Sequence, residues 1–154
     1  MGRVIADMCQ ERGVHQVVCG FDATANDTLG FPVYTNLEDV TEDVDVLIDF
    51  TAPGTLDTLS GFLRARKIPA VICTTGYSPE QEEAVRQLAT EVPIVRSGNM
   101  SVGVNAILEV VEELSKALKG FDIEVIEKHH TRKKDSPSGT AKMLYQAANR
   151  GRDN

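Results

Sequence analysis

Residues 44–76, VDVLIDFTAPGTLDTLSGFLRARKIPAVICTTG, decide the fold because they place an amphipathic helix between two apolar strands. The runs at 44–50 and 69–74 are short and apolar, as expected of strands that are buried on both faces of a sheet. Between them, residues 55–66 have a helical pattern of apolar positions. A strand, a helix and a second strand in this order form a right-handed crossover with parallel strands. The stretch therefore predicts an α/β domain.

The same alternation continues on both sides of this unit. We predict helices at 1–13 and 78–91, and strands at 15–21 and 92–96. The second of these helices begins with SPEQ, in which an N-cap serine, a first-turn proline and a glutamine form a capping box. Apolar strands alternating with helices indicate a parallel sheet that is covered on both faces. We therefore predict a Rossmann-like, doubly wound α/β fold for residues 1–100.

The N-terminal residues lack one part of such a fold. The chain starts in a helix, whereas a dinucleotide-binding domain opens with a strand and a glycine-rich turn that holds the pyrophosphate. Gly2 is interpreted as the last small residue of such a turn. We therefore predict a dinucleotide-binding domain without its first strand and glycine-rich turn. The alternative is a fold that simply begins with a helix.

Residues 101–154 have a different organisation. Apolar residues recur at helical spacing over 102–118, residues 122–127 alternate as a half-buried strand does, and 137–150 are helical in pattern. We predict that this region is the start of a second, α+β domain.

Composition restricts the possible functions. The chain of 154 residues is 42% hydrophobic and 25% charged, as folded domains are, and its net charge of -7 disfavours binding to nucleic acid. No apolar run approaches the roughly 18 residues of a membrane span, and no signal peptide is visible. The three cysteines are scattered and odd in number. We therefore expect a cytoplasmic protein with neither a membrane partner nor a structural zinc ion.

The segment 127–140, EKHHTRKKDSPSGT, is the richest stretch of the chain in candidate functional residues. It contains the adjacent His129 and His130 and four of the 16 Lys and Arg residues. A basic segment in an acidic chain predicts an anionic ligand. A metal site is disfavoured, because adjacent histidines on a strand point to opposite faces and no cysteine or third histidine is nearby.

A predicted helix start follows the basic segment. If Ser136 is the N-cap and Pro137 the first helical residue, the amides of Ser138, Gly139 and Thr140 are unpaired first-turn donors. Together with the helix dipole, these amides form a cup for a carboxylate. Because glycine has no side chain, the carboxylate can approach the backbone closely. The basic segment and the cup fit a small molecule with two carboxylates. The alternative is a solvated basic loop before a capped helix.

Polar residues also follow the predicted strands, at the edge where open α/β sheets bind ligands. Asp22 ends the strand at 15–21, where an acid can accept hydrogen bonds from the adenosine ribose of a dinucleotide. A turn aspartate before a polar loop explains Asp22 equally well. Ala23 follows it instead of an arginine, so the pattern leans weakly toward NADH over NADPH. Further polar stretches follow three other strands, at 49–51, 73–76 and 97–101.

These motifs resemble a known family. HHxxKxDxPSGTA, residues 129–141, is similar to the signature of the dihydrodipicolinate reductases, also called 4-hydroxy-tetrahydrodipicolinate reductases. Residues 49–51, 74–77 and 99–105 look like the other landmarks of that family, in the same order. The resemblance covers essentially all 154 residues.

The resemblance implies an activity and a set of site residues. The activity is hydride transfer from NADH or NADPH to an unsaturated cyclic imine with two carboxylates, with loss of water, in lysine and diaminopimelate biosynthesis. His129 would be a proton donor or acceptor and Lys133 a proton donor. The residues that would hold the substrate carboxylates are His130, Ser138, Gly139 and Thr140. The residues that would line the cofactor are Asp22, Cys73, Thr74, Thr75, Ser97, Gly98, Asn99 and Met100.

The resemblance also implies features outside these residues. Members of the family have a first strand and a glycine-rich turn, continue through the rest of the substrate domain, and form homotetramers. We therefore expect a segment of such a reductase that is cut short at both ends. Cys73 occupies a position where the family usually has glycine.

Two other functions remain open from the sequence. A non-catalytic remnant would bind a small dicarboxylate or a partner chain without oxidising NADH. Another nicotinamide-dependent dehydrogenase, acting on a semialdehyde or a sugar, would use a cysteine nucleophile or a Glu-Lys-Pro turn. Neither feature occurs in the right context in this sequence.

Overall fold

The computed structural model describes residues 1–25, 28–131, 133 and 136–152. The chain divides into two compact units, Met1–Arg96 and Ser97–Asn154. Within the described residues no helix is both long enough and apolar enough to cross a lipid bilayer. The helices and strands, in chain order, are α1 (Gly2–Arg12), β1 (Gly20–Phe21), β2 (Val33–Tyr34), β3 (Leu47–Asp49), α2 (Leu56–Arg66), β4 (Ala70–Ile72), α3 (Pro79–Leu88), β5 (Ile94–Arg96), α4 (Val102–Ala117) and α5 (Gly139–Arg152).

The first unit is Rossmann-like, as the sequence predicts, with parallel strand pairs and helical connections. Strands β3, β4 and β5 form one sheet in that order, with both neighbouring pairs parallel. Asp49, Ile72 and Arg96 lie opposite one another at the carboxyl ends of the three strands. The residues that follow these strands therefore begin at one edge of the sheet.

Aliphatic side chains form the core of the first unit. Leu56, Leu63 and Leu88 are each at most 1% exposed, and Ile72 of the central strand is fully buried among them. The leucines of α2 recur three and four residues apart, so that they form one face of the helix. The three-strand sheet is thus fixed against α2 and α3 by a single apolar cluster.

The end of α1 and the start of α3 are where the local sequence predicts them, whereas α3 ends at Leu88, three residues before the predicted end. Gly13 ends α1 in a left-handed conformation with φ 62°, which glycine adopts without strain. Ser78 caps α3 and Gln81 reaches back to its amide, which confirms the predicted capping box. Helix α1 has no buried residue, and Val4 and Met8 on its apolar face are 51% and 44% exposed.

The strand predicted at 15–21 is mostly wrong. Only Gly20 and Phe21 are paired, with Val33 and Tyr34 of the short parallel strand β2. The sequence around β2 predicts a loop, because a strand of two residues is too short to show an alternation of apolar and polar residues. A strand needs a neighbour for its backbone groups, and β2 provides one for two residues only. The described strands therefore form separate sheets of two and three strands.

The second unit consists mainly of α4 and α5, which pack against each other. The strand predicted at 122–127 is wrong, since none of these residues is in a strand in the described part of the chain. Apolar and polar residues do alternate over this segment, but no described strand lies beside it to form the backbone hydrogen bonds of a sheet. Ile123, Val125 and Ile126 are 42%, 41% and 87% exposed as a result.

Candidate functional site

The start of α5 lies two residues later than the sequence predicts. Ser138, not Ser136, is the N-cap, since its Oγ accepts a hydrogen bond of 3.1 Å from the amide of Ala141. Ser138 is only 5% exposed. Pro137 therefore precedes the helix instead of opening it. The first helical residues are Gly139 and Thr140, whose amides belong to the first turn, where the helix provides no acceptors.

Glu127 occupies part of the predicted carboxylate cup. Its Oε1 accepts a hydrogen bond of 3.0 Å from the amide of Ser138, 11 residues further along the chain. The expectation that this amide is unpaired is therefore wrong. A carboxylate of the protein itself sits where the sequence predicts a carboxylate of the ligand.

The second oxygen of Glu127 contacts a predicted catalytic residue. Oε2 of Glu127 lies 2.8 Å from Nε2 of His129. The hydrogen bonds from Ser138, followed by that from His129, lower the pKa of Glu127 from 4.5 to about 2. Glu127 is thus ionised at neutral pH and joins the start of α5 to the imidazole. The sequence pattern gives no signal for this contact.

The depressed pKa of Glu127 predicts a pH dependence of stability. A carboxyl group whose pKa is lower in the folded state stabilises the fold above its unfolded pKa, and this contribution is lost as the pH falls through the folded pKa. With values of 4.5 and about 2, the loss occurs between these two pH values. The difference in unfolding free energy between the wild type and Glu127→Gln should therefore shrink over that interval.

Urea unfolding followed by far-UV circular dichroism at a series of pH values measures this difference. Glu124→Gln removes an exposed carboxylate from the same segment and is the matched control. A difference between wild type and Glu127→Gln that stays constant from about pH 5 down to pH 2 would contradict the prediction.

The turn between β5 and α4 also reaches α5. Nδ2 of Asn99 donates a hydrogen bond of 2.9 Å to Oγ1 of Thr140, so a predicted cofactor residue contacts a predicted substrate residue. Oδ1 of Asn99 accepts a hydrogen bond from the amide of Ser101. The side chain of Ser101 in turn caps α4. Oγ of Ser97 donates to the carbonyl of Asn99 at 2.8 Å. The side chain of Asn99 therefore fixes this turn against the first turn of α5.

The remaining predicted residues of the second unit lie around these contacts. His130 is exposed and Lys133 half-buried, and a 3.2 Å hydrogen bond from the Lys133 amide to the His130 carbonyl closes a turn between them. Gly98 is half-buried, and Met100 is 41% exposed. Arg132, Lys134 and Asp135 of the basic segment lie outside the described residues.

A cavity of about 600 Å³ borders this site without being part of it. Its walls come mainly from α5 and from the segment 123–127, and most of the lining side chains are apolar or long. Two residues of the contacts described above, Glu127 and Ala141, also line the cavity. None of the predicted substrate residues lines it, so the cavity is not assigned to the substrate.

In the first unit, Asp49 organises the edge of the sheet. It is 2% exposed, and its Oδ1 accepts from the amide and hydroxyl of Thr51 at 2.8 and 2.6 Å. Its Oδ2 accepts from the hydroxyl of Thr74 at 2.8 Å. One buried carboxylate thereby joins the ends of β3 and β4. The hydroxyl of Thr74, a residue predicted to line the cofactor, thus donates to a buried group of the protein itself.

Replacing Asp49 with alanine should lower the unfolding free energy by about 1–3 kcal/mol, because buried donors lose their acceptor. Urea unfolding of the two chains measures the change. Asp45→Ala, at an exposed position shortly before β3, is the control and should stay within about 0.5 kcal/mol of the wild type. Equal effects of the two substitutions would show that the Asp49 contacts do not stabilise the unit.

The other predicted residues of the first unit differ in accessibility. Asp22 is exposed directly after β1 and accepts a 3.4 Å hydrogen bond from the amide of Thr24. Thr75 is exposed after β4, and Gly76 next to it has φ 83°. Cys73 is 6% exposed, and burial raises the pKa of its thiol. A buried, protonated thiol is not a nucleophile, which disfavours a dehydrogenase that uses a cysteine.

A further contact at this edge was missed from the sequence. The guanidinium of Arg96 lies 4.9 Å from the ring centre of Tyr77 and 2.7 Å from Glu82. Burial raises the pKa of Tyr77. No regular spacing relates these residues, so the sequence gives no signal for the contact. Among the described residues, no group of three or more His, Cys, Asp and Glu side chains could hold a metal ion.

The parallel sheet with its polar edge places the chain in the class of Rossmann-like α/β proteins followed by a second domain. Residues 1–100 match the profile described as dihydrodipicolinate reductase, N-terminus, and residues 103–154 match the profile for the C-terminus. The chain belongs to the dihydrodipicolinate reductase family. Members of this family are NAD(P)H-dependent oxidoreductases of lysine biosynthesis.

Curated relatives agree with this assignment. A 4-hydroxy-tetrahydrodipicolinate reductase of Caldanaerobacter subterraneus subsp. tengcongensis is 46% identical over 149 residues, which are 97% of this chain and 59% of that protein. The enzyme of the same name from Clostridium tetani is 41% identical, over 94% of this chain and 57% of that protein. The enzyme of the same name from an Exiguobacterium species is 39% identical, over 99% of this chain and 59% of that protein. The chain thus spans less than three fifths of the length of these relatives.

Proposed function

We propose that the protein containing these residues reduces 4-hydroxy-tetrahydrodipicolinate to tetrahydrodipicolinate with NADH or NADPH. The family assignment supports the reaction. One structural observation supports the site in particular. The first turn of α5 is held both by Asn99, through Thr140, and by Glu127, which also contacts His129. Residues predicted for cofactor, substrate and proton transfer therefore converge on one helix N-terminus.

The substrate's carboxylates would bind around this helix start. The amides of Gly139 and Thr140 point along the helix axis at its positive end, where a carboxylate is stabilised. The Thr140 hydroxyl already accepts from Asn99, so its own hydrogen is available for a ligand. We propose that Ser138 acts by capping α5 and that its amide does not bind the substrate, since that amide donates to Glu127. His130 would bind the second carboxylate.

His129 and Lys133 would handle the protons of the reaction. The balanced change adds one hydride and one proton to the substrate and releases one water. His129 would exchange a proton with the substrate, and Lys133 would donate one. The carboxylate contacts would hold the ring in a fixed orientation, which supplies part of the rate enhancement.

The nicotinamide cofactor would supply the hydride when bound. The residues present fit such a group in part. The exposed Asp22 carboxylate can accept from the adenosine ribose, and the exposed Thr75 and Gly76 leave the end of β4 open. The hydroxyl of Thr74 and the thiol of Cys73 are buried, so we propose that these residues contribute backbone groups only. The absence of an arginine after Asp22 supports NADH over NADPH.

We propose further properties of the complete protein from the family and the sequence. The complete protein would form a homotetramer and would bind neither nucleic acid nor membranes. It would work in the cytoplasm, where its three free cysteines would stay reduced.

Binding of a ring dicarboxylate tests the proposed site. We define the chimera as the Caldanaerobacter relative in which residues 1–154 of this chain replace the matched segment. The chimera should bind pyridine-2,6-dicarboxylate more tightly than pyridine-2-carboxylate, as measured by isothermal titration calorimetry, because the site holds two carboxylates. Equal affinity for the two ligands would contradict the proposed mode of substrate binding.

A further inference from the structure

Glu127 joins the start of α5 to His129. It lies in the irregular segment before α5, and its side chain is only 26% exposed although no helix or strand holds it. Both of its oxygens are used, one by the Ser138 amide at 3.0 Å and the other by His129 Nε2 at 2.8 Å. One carboxylate thus connects the rigid start of a helix to an imidazole that is 41% exposed.

The charge of Glu127 determines which ring nitrogen is protonated. An ionised carboxylate has only acceptor oxygens, so the Nε2 that lies 2.8 Å away must carry a hydrogen. In the neutral ring, the lone pair is then on Nδ1. A proton that His129 gains or loses during a reaction is therefore exchanged at Nδ1.

We propose that Glu127 is a positioning residue of the reductase site: anchored to the amide of Ser138, it receives the Nε2 hydrogen of His129 and leaves Nδ1 as the nitrogen that exchanges a proton with the substrate. This inference rests on the proposed function for the role of His129. Glu127 itself touches neither the substrate nor the cofactor in this account. Ser138, to which Glu127 is anchored, is the N-cap residue of α5. The imidazole of His129 is therefore held at a fixed position relative to the proposed carboxylate site on the first turn of the same helix.

The kinetic test is a double-substitution cycle in the chimera. Glu127→Gln keeps the shape of the side chain but loses its charge, and it should lower kcat by about 10- to 100-fold because the imidazole loses its fixed orientation. The KM for the substrate should not rise, since the glutamine oxygen can still accept from the Ser138 amide and a negative charge near the proposed carboxylate site is removed. Added to His129→Gln, the same substitution should have little further effect on kcat, because it acts through that histidine. Glu124→Gln is the matched control.

A structural role would give a different pattern. If Glu127 only stabilised the fold, Glu127→Gln would raise KM or would lower kcat by the same factor with and without His129. Either result would overturn the proposal. A kcat within twofold of the wild type would overturn it as well.

A second readout does not depend on catalysis. Diethyl pyrocarbonate acylates a ring nitrogen that has a free lone pair, and Nε2 is the less hindered of the two. In the wild type Glu127 holds a hydrogen on Nε2, so Glu127→Ala should speed the modification of His129 severalfold, as followed by peptide mass spectrometry. His15, exposed in the first unit, is an internal reference whose rate should not change.

The two readouts separate this inference from the proposed function. A chimera that reduces no substrate, but in which Glu127→Ala speeds the modification of His129, would sink the reductase assignment and support the Glu127–His129 contact. A chimera that is active, with unchanged modification rates and additive substitutions, would leave the reductase assignment intact and overturn the role of Glu127.

Discussion

Replacing His129 with glutamine in the chimera should lower kcat by about 10²- to 10⁴-fold, the usual contribution of a general acid–base group. Glutamine is of similar size and can still donate a hydrogen bond to Glu127, but it cannot exchange a proton near neutral pH. Lys133→Ala should have an effect in the same range, because it removes the second predicted proton donor. Steady-state oxidation of the reduced nicotinamide measures both.

The control for this prediction is His15→Gln. His15 is exposed in the first unit and has no predicted role, so its replacement should leave kcat unchanged. Dicarboxylate affinity, measured in parallel, should be retained by His129→Gln, which shows that the site is folded. Near-normal turnover of His129→Gln or Lys133→Ala would mean that the residue in question does not transfer the proton.

Replacing Gly151 with alanine should destabilise the second unit by about 1–3 kcal/mol, toward the upper end of that range, because the added carbon has no space. Gly151 is buried in α5 against α4. A Cβ at this position would overlap the carbonyl oxygen of Glu112 and would lie 2.6 Å from Cβ of Ser115. Since one of these is a backbone atom, the helices must separate to make room.

Denaturant unfolding of the chimera and its variants tests the packing of Gly151. Gly103→Ala is the matched control, since Gly103 lies in α4 and an added Cβ there meets only Oγ of Ser101 at an ordinary 3.9 Å. That substitution should be neutral or stabilising, by up to about 1 kcal/mol, because alanine favours the helix. Gly151→Ala at or above the wild-type stability would contradict the close packing of α4 and α5.

Local sequence patterns predicted the features that depend on near neighbours. The capping box joins Ser78 to Gln81, three positions further along the chain, and it forms as predicted. The βαβ unit from β3 to β4 is predicted equally well, because its apolar strands and the leucine face of α2 are complete within 33 residues. Interactions of this kind need no information from distant parts of the chain.

Features that depend on a partner element were predicted poorly. The patterns at 15–21 and 122–127 are typical of strands, yet a strand exists only where a neighbour pairs with it. Gly20 and Phe21 have such a neighbour in β2, and the remaining residues of the two patterns have none among the described residues. The pattern shows which residues favour an extended backbone, but pairing decides whether they form a sheet.

The site shows the same division. The sequence located the helix start and the basic segment, but it assigned the N-cap to Ser136, because proline is common at the first helical position. Ser138 is the N-cap instead, and its amide is taken by Glu127, which is 11 residues away. No spacing rule relates a carboxylate in an irregular segment to a later helix start. The roles of His129, Lys133 and the cofactor residues remain predictions.

The most direct test of the account is the oxidation of NADH and NADPH by the chimera in the presence of 4-hydroxy-tetrahydrodipicolinate. We expect one nicotinamide oxidised for each substrate consumed, no oxidation without the substrate, and a higher kcat/KM with NADH than with NADPH. The unmodified Caldanaerobacter relative is the positive control. A chimera that binds pyridine-2,6-dicarboxylate as that relative does, yet oxidises neither nucleotide, would contradict the reductase function and identify residues 1–154 as a segment that binds dicarboxylates without catalysis.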